Sequence, residues 1–263
     1  MKKQKKESAR NSKITLLLEV ICLVVFLYAA SQLWQIFADY RNASKEYDAL
    51  AEYAVTEQII TETVEESKTS KVEEYDNLSY FVDLDSLKEM NPDTVGWIIL
   101  PDSKINYPIV KSKDNAEYLT TTFEGQMANS GAIFLDMNCE SDFSNQNSII
   151  YGHNMKNGSM FRALNHLTKK DYFETHRIFY MDLGNGFQEY EIISCYETVE
   201  TDLSSWQIGF ESEEAYAQWL NQIAKRCTYD CADYDVSKQT ITLSTCRGES
   251  GGPGRFIVHL QKK

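Results

Sequence analysis

Several features that would assign this chain to a class at once are scarce. Only 4 Pro and 12 Gly occur in 263 residues, which excludes collagen-like and Pro/Gly-rich low-complexity chains. Basic residues number 26 against 39 acidic ones, and a formal net charge of −13 argues against a nucleic-acid-binding protein, which needs a basic surface. The 6 Cys are too few for a disulfide-dense miniprotein. The 43% of hydrophobic residues is enough for one well-packed domain with an appendage.

The charge is distributed unevenly. Residues 1–13 contain six basic side chains and one acidic one, a local charge of +5, so the remaining 250 residues carry −18. The apolar run that follows, residues 14–37, is close to the ~20 residues that a helix needs to cross a bilayer. Its one carboxylate, Glu19, lies near the basic end, where it can reach the headgroups or be protonated. The pattern predicts a cytoplasmic basic tail over 1–13 and an uncleaved transmembrane anchor over 14–37, with the rest of the chain outside the cell.

A cleaved signal peptide is the alternative to the anchor. Ala29 and Ala30 are small enough for a cleavage site, but Leu27 and Tyr28 spoil it, and the apolar run exceeds the ~7–15 residues of a signal core. A buried helix of a soluble protein is disfavoured because the run has no polar face.

Residues 38–77 are polar and acidic and predict a partly helical stalk or linker. Tyr47, Leu50 and Tyr53 are spaced to share one helix face, and the stretch after Ile60 is rich in charge. We interpret this segment as a solvated spacer, with a dedicated partner-binding helix as the alternative.

Residues 78–263 alternate short β-rich runs with turn residues and a few short helical stretches. Typical strand runs are VGWIIL, INYPIV, GAIFLD, NSIIYGH, QTITLSTC and RFIVHL. The turn at 184–186, Gly-Asn-Gly, predicts a hairpin. The segment SEEAYAQWLNQIAKRC, which begins at Ser212, has acidic residues near its start and basic residues near its end, and this pattern predicts a helix capped by Ser212. Helices inserted among many strands favour a mainly β fold, a closed or nearly closed barrel, over a doubly wound sheet.

The cysteines outside the predicted span are odd in number, so at least one thiol stays unpaired if no second chain contributes. They are Cys139, Cys195, Cys227, Cys231 and Cys246. The pair at 227 and 231 predicts a disulfide or two zinc ligands, although no matching Cys or His pair at zinc-ligand spacing exists elsewhere. Within a strand, a cysteine such as that at 195 is expected to be a small buried hydrophobe. The cysteine at 139 lies in a polar loop and is expected to be exposed.

Cys246 has the position that suits a nucleophile. It ends an alternating strand and precedes a loop with four Gly, and a junction between a rigid strand and a loop is where reactive groups are held. If the last two strands pair as a hairpin, Arg255 lies beside Cys246 and supplies a cation for a developing oxyanion. Arg247 is the alternative, but as the next residue along the strand it points to the opposite face.

A thiol nucleophile needs a proton partner, and the chain has 4 His. His259 lies inside the last strand and is expected to be a wall residue. His166 and His176 lie on or beside short polar helices and are expected to be solvated. His153 follows a hydrophobic strand and a Gly, so it is a polar group at a strand end and the preferred partner.

These motifs together carry a family resemblance. TLSTC ends at Cys246, an Arg follows nine positions later, YGHNM surrounds His153, and the domain opens with NPDTVGWIIL, INYPIV and DNAEYL. From about residue 78 to the C terminus the chain resembles the sortases, specifically class B, including the acidic helix over 212–226 before the penultimate strand. The resemblance implies a sortase-type barrel of about eight strands over 78–263.

The resemblance also implies roles and partners. Cys246 would be the nucleophile, His153 the general acid/base and Arg255 the oxyanion group, with Thr245 and Ser244 placing the substrate. The enzyme would be a transpeptidase of a Gram-positive cell surface. It would cleave a C-terminal sorting motif of secreted proteins through a thioacyl-enzyme and pass the acyl group to an amine of a cell-wall precursor or a pilin. No metal, cofactor or nucleic acid is expected. The loop over 247–254 departs from the pattern, since it has four Gly and few apolar side chains with which to grip a substrate.

Two other functions are alternatives to this one. A membrane-tethered cysteine protease of papain type would hydrolyse its acyl-enzyme, but papain-like chains place the Cys before the His, and here His153 precedes Cys246. A non-enzymatic binding ectodomain with structural cysteines would require Cys246 to be disulfide-bonded.

Overall fold

The structure, a computed structural model, describes residues 2–58, 78–111, 113–247 and 252–263, with the backbone alone described for 2–15, 17, 54–58 and 78–79. The chain divides into two compact units, Met1–Ala43 and Ser44–Lys263. Helix α1 (Lys2–Ala51) forms the first unit and begins the second.

The apolar part of α1 is consistent with a membrane anchor. The predicted span over 14–37 lies within one continuous helix, and large apolar side chains such as Leu23, Phe26 and Trp34 are exposed along it. Among the described residues, α1 is the one helix that is long and apolar enough to cross a membrane. A helix with outward-facing apolar side chains is suited to contact with lipid.

The end of α1 belongs to the second unit and packs into it. Tyr47 and Leu50 are buried, and the Tyr47 hydroxyl donates to the carbonyl oxygen of Gly131 at 2.7 Å and accepts from the amide of Phe123 at 3.3 Å. The predicted spacer over 38–77 is therefore shorter than expected, because its residues 44–51 are part of the folded domain. Residues 59–77 of that predicted spacer lie outside the described residues.

A small sheet and a short helix lead into the barrel. Strands β1 (Ala54–Gln58) and β2 (Leu78–Val82) pair antiparallel. Helix α2 (Leu84–Met90) is capped by the Asp83 carboxylate, which accepts from the amide of Ser86. It ends before Pro92, because proline disfavours helical backbone at the residue before it.

Eight strands form a closed barrel in the order β10-β8-β7-β3-β4-β5-β6-β9. Their bounds are Thr94–Ile99 (β3), Asn106–Val110 (β4), Ile133–Leu135 (β5), Asn147–Tyr151 (β6), Ile178–Asp182 (β7), Phe187–Val199 (β8), Thr240–Cys246 (β9) and Gly254–Lys262 (β10). The pairs β4–β5 and β6–β9 are parallel and the others are antiparallel. The prediction of a closed, mainly β barrel of about eight strands is confirmed.

Two hairpins follow from local sequence. Asp182 pairs with Phe187 across the predicted turn, and its carboxylate accepts from the amides of Gly184 and Gly186, both at positive φ. Strands β9 and β10 also pair antiparallel along their whole length. This second hairpin closes the barrel and determines the position of the predicted nucleophile.

Short helices are inserted between the strands. They are the 3₁₀ helices Glu117–Leu119, Phe161–Thr168 and Leu203–Trp206, and the α-helices Lys170–Thr175 (α3) and Glu213–Ala224 (α4). The hydroxyl of Ser212 caps α4 as predicted, accepting from the amide of Ala215. The apolar face of α4, with Trp219 and Leu220, packs on Ile193 and Ile257 of the barrel wall.

The cysteines follow the sequence expectations with one exception. Cys227 and Cys231 form a disulfide, and the buried Cys195 has its sulfur 3.8 Å from that of Cys227. Cys139, predicted to be exposed, is 1% exposed because its loop folds back onto β6, where its sulfur accepts from the amide of Ile149. Burial raises the pKa of the Cys139 thiol to about 11, so this thiol is protonated and unreactive near neutral pH.

Candidate active site

A cavity of about 430 Å³ opens at one end of the barrel. Its lining residues are Asn115, Leu119, Phe134, Tyr151, Gly152, His153, Glu200, Leu203, Trp206, Ser244, Thr245, Cys246 and Arg255. All five residues that the sequence predicts for catalysis or substrate placement line this cavity: His153, Ser244, Thr245, Cys246 and Arg255. They come from strands β9 and β10 and from the residues that directly follow β6.

Strand register brings His153 to the same level as Cys246. Strands β6 and β9 run parallel with Tyr151 paired to Ser244, so residues 153 and 246 both lie two positions beyond that pair. The amide of Gly152 donates to the carbonyl oxygen of Ser244 at 3.2 Å and holds the two segments together beyond the last paired residues of β6 and β9. Two polar groups far apart in sequence therefore reach the rim of one pocket.

Cys246 is a free, half-buried thiol at the last position of β9. Its backbone carbonyl accepts from the side-chain amide of Asn165 at 3.3 Å, which fixes the end of the strand. A free thiol here contradicts the alternative of a structural disulfide at Cys246.

One backbone hydrogen bond orients the His153 ring. Its Nε2 lies 2.7 Å from the carbonyl oxygen of Leu119. A carbonyl oxygen only accepts, so Nε2 carries the proton, and in the neutral ring Nδ1 is the basic nitrogen. Nδ1 has no hydrogen-bond partner within the described ranges, which leaves it available for proton exchange.

The two candidate arginines have different surroundings. Arg255 is directly paired with Cys246 across the β9–β10 hairpin, and its side chain lines the pocket. Arg247 does not line the pocket and instead forms an ion pair with Glu197 at 2.6 Å. Arg255 is therefore the arginine on the pocket side, whereas Arg247, the residue directly after β9, is paired outside the pocket.

The neighbours of Cys246 on β9 present hydroxyls at the pocket. The Oγ1 of Thr245 is buried and has no hydrogen-bond partner in the described part of the chain. The Oγ of Ser244 accepts a long hydrogen bond, 3.4 Å, from the indole of Trp206. A buried hydroxyl without a partner is costly unless a ligand or water satisfies it, so Thr245 is suited to contact a bound peptide.

Several wall residues were not identified from sequence. Asn115 and Tyr151 both donate to the same Asp136 carboxylate oxygen, each at 2.9 Å, and this buried carboxylate fixes one wall. Burial, then the negative charge of Asp136, raises the pKa of Tyr151 well above its usual value. Leu203 and Glu200, from the segment after β8, also line the pocket. No periodic pattern links these loops, and the carbonyl of Leu119 is a backbone group without any side-chain signal.

Comparison with known proteins decides the family. The model of the sortase domain matches residues 98–263. The chain belongs to the sortase family. It is 36% identical over 179 residues to sortase B of Listeria monocytogenes, covering 67% of this chain and 72% of the relative.

Solved structures agree with the class. The Staphylococcus aureus sortase B–substrate complex superposes with a TM-score of 0.64 at 31% identity, covering 68% of this chain and 84% of that chain. Sortase B from B. anthracis, in complex with AAEK1, gives a TM-score of 0.69 at 30% identity and covers 86% of this chain and 99% of that chain. The protein is a class B sortase, a cysteine transpeptidase, and this excludes both the papain-type protease and the non-enzymatic ectodomain.

Proposed function

We propose that this sortase uses Cys246, His153 and Arg255 to cleave a sorting motif near the C terminus of secreted proteins and transfers the acyl group to an amine. One observation carries the assignment: these three side chains, which come from two distant segments of the chain, line a single pocket. The sulfur of Cys246 attacks the scissile carbonyl carbon and forms a tetrahedral intermediate. Free guanidinium N–H groups of Arg255 then stabilise the oxyanion.

His153 supplies the proton that the leaving amine requires. With Nε2 held by the Leu119 carbonyl, the other ring nitrogen, Nδ1, takes the proton of the Cys246 thiol as the sulfur attacks and gives it to the amine as the thioester forms. The acceptor amine then attacks the thioester, loses its proton to the same nitrogen and releases Cys246. Hydrolysis competes with this second step, so the walls of the pocket must keep water from the thioester until the amine arrives.

The acceptor is an amine of a cell-wall precursor or a lysine of a pilin. We further propose that the N terminus is cytoplasmic, because Lys and Arg are retained on the cytoplasmic side of an anchor. The region from residue 44 onward then works on the outer surface of the membrane. Thr245 and Ser244 contact the sorting peptide, since both line the pocket beside Cys246.

The test is capture of the acyl-enzyme. The full chain in detergent is incubated with a positional library of quenched-fluorescent peptides, with and without triglycine or a lysine peptide as acceptor. Mass spectrometry should find the acyl adduct on the peptide that contains Cys246, and the amine should raise turnover and appear in the product. Loss of the nucleophile in Cys246→Ala should lower turnover by about 10⁴-fold or more.

Cys139→Ala is the matched control, because it removes a free thiol that is buried and does not line the pocket. It should keep the adduct and the turnover. Cleavage that persists in Cys246→Ala would overturn the assignment of the nucleophile. Products without the acceptor amine, at saturating amine, would overturn the transfer step.

A further inference from the structure

Two glutamates near the end of β8 each hold one of the two arginines that flank the loop after β9. Glu197 pairs with Arg247 at 2.6 Å, and Glu200 pairs with Arg255 at 2.8 Å. The two carboxylates are similarly exposed, 55% and 54%. Only the second pair, Glu200 with Arg255, lines the pocket of Cys246. The chain thus contains one ion pair in the active site and a similar one outside it.

The guanidinium of Arg255 is held from two sides. Its Nη1 donates to the carbonyl oxygens of Gly252 and Gly254 at 2.7 and 2.9 Å, and its Nη2 donates to the Glu200 carboxylate. Glu200 is itself fixed, because its amide donates to the carbonyl oxygen of Pro253 at 2.8 Å. The contacts to Nη1 come from the segment just before Arg255, whereas Glu200 comes from the residues that directly follow β8.

This arrangement leaves a defined set of donors for the substrate. A guanidinium has five N–H groups, and three of those of Arg255 are occupied in the structure. The Nε–H and one N–H of Nη2 have no hydrogen-bond partner among the described residues. A planar group held at both of its terminal nitrogens cannot swing, so these two remaining donors keep a fixed direction.

We propose that Glu200 is a positioning residue that holds the Arg255 guanidinium in the orientation required to bind the oxyanion. It acts through Arg255 and does not itself touch the reacting atoms. This inference rests on the proposed role of Arg255 in the transpeptidation. Arg255 interacts with the negative charge that develops on the oxyanion in the transition state. Loss of Glu200 should therefore lower kcat and leave KM nearly unchanged.

The experiment compares Glu200→Ala, Glu200→Gln and Glu197→Ala in the full chain, using the library peptide that wild type turns over best and triglycine. Glu200→Ala should lower kcat by about tenfold with KM within about twofold, since half-exposed ion pairs contribute modestly but misorientation of a catalytic group is costly. Glu200→Gln keeps an acceptor oxygen and should recover about half or more of the loss on a logarithmic scale. Glu197→Ala should stay within about twofold of wild type.

A double variant separates positioning from other roles. If Glu200 acts through Arg255, adding Glu200→Ala to Arg255→Ala should change kcat no further. An equal tenfold loss in both backgrounds would overturn the proposal. A higher kcat in Glu200→Gln would also overturn it, because the carboxylate would then be weakening the charge of Arg255.

The failure of this inference is distinct from the failure of the proposed function. Turnover that does not depend on Cys246 overturns both. Turnover that depends on Cys246 and Arg255 but is unchanged by Glu200→Ala overturns the role of Glu200 alone.

Discussion

Two histidines lie beside strand β9, one in the wall of the barrel and one at its open end. His259 is fully buried, and both ring nitrogens are hydrogen-bonded, Nε2 to the hydroxyl of Tyr196 at 2.9 Å and Nδ1 to that of Thr242 at 2.8 Å. His153 is half-buried and has one such contact, to the carbonyl of Leu119.

The difference lies in what each environment permits. Burial, then the positive charge of Arg226, lowers the pKa of His259 to about 3, so this ring stays neutral near pH 7. With both nitrogens satisfied and no route to solvent, it cannot exchange protons with a substrate. His153 keeps one nitrogen free at a pocket that also contains a thiol. A histidine next to a strand becomes a catalytic candidate through an unsatisfied nitrogen at an open pocket.

The first way to test this contrast is His153→Gln. The variant loses the group that we propose exchanges the proton, so kcat/KM should fall by about 10² to 10⁴-fold. Its melting temperature should stay near that of wild type, because the ring is half-exposed and makes a single hydrogen bond. Steady-state kinetics and thermal unfolding of the same sample measure both. A large drop in melting temperature with residual activity would mean that His153 has a structural role.

The corresponding change in the barrel wall, His259→Gln, should lower the free energy of unfolding and leave kcat nearly unchanged. It removes one or both buried hydrogen bonds and the edge contact of the ring with Trp219 at 5.3 Å, at a cost of about 2 kcal/mol in the free energy of unfolding. The folded fraction should turn over substrate at nearly the wild-type kcat, as denaturant titration and active-site titration would measure. A loss of kcat comparable to that of His153→Gln would break the contrast.

His153 and Cys246 could be placed at the open end from sequence because His153 follows, and Cys246 ends, a strand that local sequence identifies. The β-rich run before His153 and the alternating run that ends at Cys246 predict their strands, and the pairing of Arg255 with Cys246 follows from a hairpin between neighbouring strands. The barrel, its hairpins and the capped helix α4 were predictable for the same reason.

What sequence analysis could not supply depends on contacts between distant segments. The parallel register of β6 with β9, which sets His153 level with Cys246, joins strands separated by about ninety residues and has no local signal. The burial of Cys139 and of Tyr47 could not be predicted because each is a single buried residue in a polar surrounding sequence. Cys139 lies in a polar loop and Tyr47 in an acidic segment. Glu200 was missed because one exposed acid near a strand end resembles any solvated residue.

The smallest expected effect is the pH dependence that His259 gives to stability. Its folded pKa of about 3 lies below the unfolded value of about 6.5, so in between these values the unfolded chain binds more protons than the folded one. The contribution is complete above pH 6.5 and is lost progressively as the pH falls toward 3. Between pH 7.5 and 5.5 the loss should be about 1.4 kcal/mol, and urea titrations of wild type and His259→Gln at both values would measure it. The variant should lose less over this interval, since the other titrating groups are common to both proteins. Equal losses of unfolding free energy in wild type and His259→Gln would show that His259 is accessible to protons in the folded state. The distinction between the two histidines would then rest on position alone.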